Sequence, residues 1–229
     1  MDTTIVNGMK AQFLVRAEAL AAGETQIGWK SAFGSPAAME KMGISTPLVG
    51  FMTDKNQLET GAAIDVSGWK KPAIEMEMAI TIASDLPDGL ADAGAAADAI
   101  AGLGPAFEIV DLFGSLTDLE EILSANIYHR HVILGPMDAS RAGGRTDGLR
   151  GLIAHNDAAP VEEADVEANS GPPLGIVIGV ANHLRELGEY LRKDDVVICG
   201  SIVPPIFAKA GDSVTYELNP FAPLTVSLT

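Results

Sequence analysis

Two glutamates stand two residues apart inside an otherwise apolar run, Pro72-Ala73-Ile74-Glu75-Met76-Glu77-Met78-Ala79-Ile80-Thr81-Ile82. Side chains of a strand alternate between faces, so Ile74, Met76, Met78, Ile80 and Ile82 share one face and Glu75 and Glu77 the other. Like charges side by side are unfavourable unless water or a cation screens them. The spacing therefore leaves two readings open, a solvated acidic face or a site for a divalent metal. A third carboxylate, Glu108, lies in a second strand-like run, Ala106-Phe107-Glu108-Ile109-Val110-Asp111. Three carboxylates from two strands are a hard-oxygen ligand set suited to Mg²⁺ or Mn²⁺. Lys30, in a Gly28-Trp29-Lys30-Ser31 segment read as a turn, offers an ammonium that balances an acidic substrate or moves a proton. A solvated surface lysine is the plain alternative.

The remaining chemical candidates are weaker. His129 and His131 fall on one face of a strand and have the type to bind a transition metal. Without a third ligand at a telling distance they read as partly buried or interface histidines. The Gly-rich pieces around Gly102, Gly143 and Gly200 match neither a phosphate-binding loop nor a dinucleotide fingerprint. Ser201 is not in a nucleophile elbow. Cys199, behind Val196-Val197-Ile198, reads as a small core residue, and Glu162, Glu163, Asp165 and Glu167 as a solvated edge.

The elements that must position these residues follow from pattern and punctuation. Residues 9–22 suit a helix ended by Gly23, and 31–50 read as loops with a short helix over Pro36 to Met42. After the strand with Glu75 and Glu77, Leu90 to Leu103 reads as a helix and Tyr128 to Leu134 as a strand. Residues 138–148 read as an exposed loop. Apolar spacing at Ile176, Val180, Leu184, Leu187 and Leu191 predicts an amphipathic helix over about Pro173 to Lys193. Val196 to Val203, Ser213 to Leu218 and Leu224 to Leu228 read as strands. Strands outnumber helices without alternating with them, so the class is α+β.

With 229 residues, 47% of them hydrophobic, the chain can bury a full core as a single domain over 1–229. The net charge of -16, from 31 acids against 15 Lys and Arg, argues against nucleic acid or an anionic membrane as a partner. A single cysteine excludes an internal disulfide framework and fits a cytoplasmic setting. Neither a signal peptide nor a membrane span is legible.

With these residues in view, the chain resembles the fumarylacetoacetate hydrolase superfamily, in its branch of 2-oxopent-4-enoate hydratases and 4-oxalocrotonate decarboxylases. The landmarks are Gly28-Trp29-Lys30, the run Lys41-Met42-Gly43-Ile44-Ser45-Thr46-Pro47-Leu48-Val49-Gly50-Phe51-Met52, Ile74-Glu75-Met76-Glu77 and Asp85-Leu86-Pro87. Phe107-Glu108-Ile109-Val110-Asp111, Ala181-Asn182 with Gly188, Cys199-Gly200-Ser201 and Gly211-Asp212 follow in order. The Met-Gly-Ile-Ser-Thr-Pro segment looks closer to the decarboxylases. The resemblance implies a mixed β-roll or sandwich with flanking helices and a shortened N-terminal helical segment over 1–27. It also implies Mg²⁺ or Mn²⁺ on Glu75, Glu77 and Glu108, and Lys30 as the catalytic residue. Substrate contacts then fall at Ser35, Leu48, Gly50, Ser201 and Val203.

The activity so implied is that of a divalent-metal-dependent lyase, decarboxylating or hydrating a small 2-oxo-enoate or dienoate acid through a metal-stabilised enolate. The implied protein is a homo-oligomer, or a partner in a complex with a related pathway enzyme. Departures from the family pattern are Leu112-Phe113 in place of Ser-Arg, Ala125-Asn126 in place of Asp-Asn, and Leu48 where hydratases often carry an acid. They leave as alternatives an acylpyruvate-type C–C hydrolase, an isomerase or cyclase, and a catalytically degenerate metal-binding subunit.

Overall fold

The computed structural model describes residues 2–229. Its centre is the antiparallel pair β5 (Pro72–Ile82) and β6 (Ile100–Asp111), in one register from Pro72 opposite Asp111 to Thr81 opposite Gly102, with a shift before Ile82 meets Ile100. Around it an eight-stranded mixed sheet forms with β1 (Gln26–Ala32), β2 (Leu48–Thr53), β3 (Gln57–Leu58), β7 (His129–Leu134), β10 (Val196–Ser201) and β11 (Ile206–Phe207). The order is β2-β1-β10-β5-β6-β7-β3, with β11 also on β5. The second sheet runs β4 (Ala62–Ile64), β13 (Leu224–Leu228), β12 (Ser213–Asn219), β8 (Arg150–His155) and β9 (Val161–Glu163). Helices α1 (Thr3–Ala21), α2 (Pro36–Met42), α3 (Ala93–Ala99), α4 (Leu119–Ser124) and α5 (Pro173–Glu186) flank them, so the architecture is the expected α+β.

Burial on both faces of β5 explains why its alternation is apolar against acidic. Ile74, Met76, Met78, Ile80 and Ile82 are fully buried in one core with Phe107, Val214, Tyr216 and Leu218, between the two sheets. The opposite face carries Ala73, Glu75, Glu77 and Ala79 into the hollow of the larger sheet. Ala79 packs there with Ala106, Val132 and Ile198, and Ala73 with Val110. The larger sheet is curled into a roll. Lys30 on β1 meets Glu108 on β6 although β10 and β5 lie between them in the hydrogen-bonded order. The Asn126 carboxamide draws the roll together, its Oδ1 accepting the Phe51 N–H and its Nδ2 donating to the Phe51 carbonyl, both at 2.9 Å.

Several sequence-based boundaries move for identifiable reasons. The segment read as a Gly-Trp-Lys turn and the following loop are strands: Gly28 to Ala32 lie in β1 and Leu48 to Gly50 in β2, fixed by pairing with each other and with β10. The helix expected over 90–103 stops at Ala99, and β6 runs through Gly102, Gly104 and Pro105. Those glycines mark close backbone approach, not a turn: a Cβ at Gly104 would lie 2.3 Å from the Pro136 carbonyl oxygen. Helix α5 ends at Glu186, because apolar spacing continues past a helix end that Leu187 and Gly188 close onto Leu184 and Arg185. Helix α1 begins at Thr3, six residues before its expected start, with Asp2 Oδ1 capping the Thr4 N–H at 2.7 Å. Helix α4 and strand β8 had no sequence counterpart.

Candidate metal centre

Register builds the site. Glu75 on β5 stands opposite Glu108 on β6, and Glu77, two residues along the same face, stands opposite Ser201 on β10. One oxygen from each of the three carboxylates lies within 4.8 Å of the others. Glu77 and Glu108 are fully buried and Glu75 is half-buried, which removes the solvated-face reading. Lys30 Nζ forms a close ion pair with Glu108 Oε1 and donates to the Ile127 carbonyl at 3.2 Å. His129 Nδ1 lies 2.7 Å from the same Glu108 oxygen. The Gly200 N–H donates to Glu77 Oε2 at 2.7 Å, while Glu77 Oε1 is buried without a hydrogen-bond partner among the described residues.

The carbonyl that receives Lys30 comes from an unusual turn. Asn126, Ile127 and Tyr128 all have left-handed φ values, 50°, 51° and 61°. Left-handed backbone costs a β-branched residue such as Ile about 1–2 kcal/mol. The surrounding contacts must hold it, and the two bonds of Asn126 to Phe51 do so. Gly50 on β2 makes the room: a Cβ there would lie 2.8 Å from both Asn126 Oδ1 and Lys30 Cγ.

Electrostatics separate the three acids. Burial pushes Glu75 up to about 7, helped by the Glu108 charge. Burial also raises Glu77 well above the carboxylate range, with the charges of Glu108 and Glu75 adding to it. For Glu108 burial acts upward too, but the Lys30 ammonium and the His129 hydrogen bond outweigh it and hold this carboxyl below its ordinary value. Burial lowers the His129 imidazole, against the opposing pull of Glu108, and an ionised Glu108 can only accept from an Nδ1–H. When all three are ionised, the carboxylates facing one ammonium lack two positive charges. A divalent cation supplies that number and gives Glu77 Oε1 its missing partner, so the donor set fits a hard divalent metal.

The two histidines part company. A register shift in the β6–β7 pairing sets His129 opposite Val110 and His131 opposite Ile109, so they leave opposite faces of the sheet. His129 reaches Glu108, and His131 stacks on Trp69 with ring centroids 6.0 Å apart. Of the partly buried or interface readings, His129 is the buried one, and its bond orients the Glu108 carboxylate. The sequence flagged the residue, but nothing in it signalled the shift.

A cavity of about 210 Å³ opens onto this cluster, with Lys30, Glu75, Ser35 and Ser201 among its lining residues. Leu48 and Val203, expected at the substrate, do not line it. Leu48 is fully buried in the apolar cluster of Ile5, Met9 and Leu123, and Val203 packs on the inter-sheet core. Gly50 acts by yielding space to Lys30 and Asn126, not by touching the cavity. Unforeseen were Phe33, Leu112 and Ile122 as walls of the cavity, and the backbone groups of Gly200 and Ile127.

No family model matches the chain. Among curated proteins it is 26% identical over 216 residues to a 4-oxalocrotonate decarboxylase of Pseudomonas sp. (strain CF600), covering 93% of this chain and 81% of that protein. It is 25% identical over 215 residues to a 2-hydroxyhexa-2,4-dienoate hydratase of Comamonas testosteroni, covering 91% of this chain and 80% of the relative. Among solved structures, the 4-oxalocrotonate decarboxylase of Pseudomonas putida G7 complexed with calcium and acetate superposes with a TM-score of 0.85 at 24% identity. That match covers 97% of this chain and 85% of the other. The same enzyme has been solved with magnesium and adipate. In sequence and in fold the chain is similar to 4-oxalocrotonate decarboxylases, and in sequence to dienoate hydratases, in line with the resemblance carried by its landmark residues.

Proposed function

We propose that the protein is a divalent-metal-dependent lyase that decarboxylates or hydrates a small 2-oxo-enoate or dienoate acid. The observation that carries this is the convergence of Glu75, Glu77 and Glu108 within 4.8 Å, beside the Lys30 ammonium, at the head of a cavity. Glu75, Glu77 and Glu108 would hold Mg²⁺ or Mn²⁺. A cation so held draws electrons from a chelated 2-oxo carbonyl and stabilises negative charge as bonds at the neighbouring carbons are made or broken.

The chain's own groups do the rest. Lys30 has three N–H donors, of which Glu108 and the Ile127 carbonyl take two. The third is left for the substrate carboxylate or for a proton delivered from Nζ. The close ion pair with Glu108 and the carbonyl of the left-handed turn at Ile127 fix the direction of Nζ. Apolar walls at Val110, Ile122 and Ile127 limit the water that reaches the reacting carbons. A hydrolase reading requires a base on water. The cavity lining contains no imidazole, and His129 is committed to Glu108, which favours decarboxylation over the reactions that bring in water, hydrolysis and hydration alike. A cytoplasmic homo-oligomer is part of the proposal, supported by the resemblance and the single buried thiol.

The test follows the ultraviolet absorbance of conjugated 2-oxo-dienoate acids. Turnover is expected with Mg²⁺ or Mn²⁺, lost with chelator and lost in Lys30→Ala. Absence of turnover across such acids, in protein that binds the metal, would favour the degenerate subunit.

A further inference from the structure

We infer that Gln12, on the N-terminal helix α1, is a positioning residue for Lys30. This rests on the proposal that Lys30 serves the reaction, and adds what holds it in place. Gln12 is fully buried, and its carboxamide Nε2 donates to carbonyls of two different elements, Val49 on β2 at 3.1 Å and Leu123 on α4 at 2.9 Å. Both carbonyls belong to the segments around Lys30. Val49 precedes Gly50, which stands opposite Lys30 in the β1–β2 pairing. Leu123 lies three residues before Asn126, where the left-handed turn begins whose Ile127 carbonyl accepts from Lys30 Nζ.

Gln12 and Asn126 thus tie the same two segments together at two points. Gln12 joins Val49 to Leu123, Asn126 joins Phe51 to the turn, and Gly50 lies between the two ties on β2. Segments held at one point can swing about it, whereas two ties fix their spacing and their rotation. Helix α1 is seated for this. One turn before Gln12 and on the same face, Gly8 lets the helix close onto α4, since a Cβ there would lie 2.7 Å from Leu123 Cβ. A turn that puts Ile127 at φ 51° is not kept by its own backbone preference, so release of a tie lets its carbonyl move. Lys30 Nζ follows its acceptor, and a displacement of about 1 Å from a change far from the chemistry can cost about a hundredfold in rate. Gln12 Oε1 is buried with no hydrogen-bond partner among the described residues, so the carboxamide contributes through its donors alone.

Gln12→Met keeps the length of the side chain and removes both donors. Asn182 on α5 supplies the matched control, because its carboxamide clamps the Leu90 backbone as Asn126 clamps Phe51, at 3.0 and 2.9 Å, and bonds to nothing around Lys30. Two readouts are taken on the full chain with Mg²⁺. One is hydrogen exchange of the Lys30 ammonium by NMR, its signal identified by its loss in Lys30→Arg, and the other is kcat on conjugated 2-oxo-dienoate acids. In Gln12→Met the ammonium should exchange at least tenfold faster and kcat should fall at least tenfold, while Asn182→Leu leaves both within twofold of wild type. Gln12→Asn, one methylene too short to span both carbonyls, should change both in the same direction and serves where Gln12→Met does not fold. Exchange and kcat unchanged in the folded Gln12 variants, or altered as much in Asn182→Leu, overturn the inference and make Gln12 a strut of the fold. If the wild type turns over no such acid, the lyase reading fails, and the exchange measurement alone decides whether Gln12 positions Lys30.

Discussion

Substituting Glu75 by Gln should make the metal-free protein more stable at alkaline pH, the reverse of what removing a stabilising residue does. Glu75 holds its proton to about pH 7 in the folded protein because it is buried beside Glu108, against an ordinary value of 4.5. The folded state therefore takes up a proton that the unfolded chain has released. Stability from this group is complete below about pH 4.5 and is lost as pH rises through about 7. A rise of that size amounts to about 3 kcal/mol, most of it between pH 5 and pH 8. For a chain of this length each kcal/mol moves the melting temperature by about 2–4 °C, so the shift is about 6–12 °C. Gln at 75 has no proton to lose. Melting followed by scanning calorimetry in chelator should show the variant's advantage over wild type growing by about that amount between pH 5 and pH 8. Saturating Mg²⁺ should then restore the wild type, since a ligand bound only by the folded protein stabilises it by about 2.7 kcal/mol at a hundred times its dissociation constant. A melting difference that stays flat with pH in chelator refutes the account of Glu75 as a carboxylate held without its counter-charge.

His129→Phe keeps the ring volume but removes the 2.7 Å bond to Glu108, and Mn²⁺ affinity by titration calorimetry should fall about 10–100-fold. Unchanged affinity would mean that His129 only fills space. Gly50→Ala places a methyl 2.8 Å from Asn126 Oδ1 and Lys30 Cγ, so chemical denaturation should show a loss of about 1–3 kcal/mol. Turnover should fall with it, as Lys30 is displaced, and a variant with wild-type stability and activity contradicts the close approach seen there.

How much of this was legible follows from the range over which each feature is determined. The carboxylates of β5 were readable because strand alternation is local: Glu75 and Glu77 share a face whatever the rest of the chain does. Their burial was not readable, since it depends on the larger sheet curling until its inner face closes over them, and that curl is tied by Asn126 to Phe51 across 75 residues of chain. Lys30 was picked out by type and placed in a turn because Gly28 and the Gly-Ser-Pro content around it look like loop. Pairing with β2 and β10 made it a strand residue aimed into the roll. The histidines fail differently, for alternation predicts one face for both and a single register shift reverses that for one of them.

The same distinction bears on Leu112 and Ala125, where the chain departs from the family pattern. Judged from sequence, both are losses of polar groups near the chemistry. In the structure Leu112 is part of the apolar wall of the cavity, whereas Ala125 closes α4 and is absent from the cavity lining. Leu112 therefore bears on the shape of the cavity, while the three acids and the ammonium lie on strands β1, β5 and β6, away from both departures. The charged cluster is specified by the register of paired strands, the apolar wall by side chains from the approach to α2, the end of β6 and α4. A change in the wall leaves untouched the strands that bring the three carboxylates within 4.8 Å.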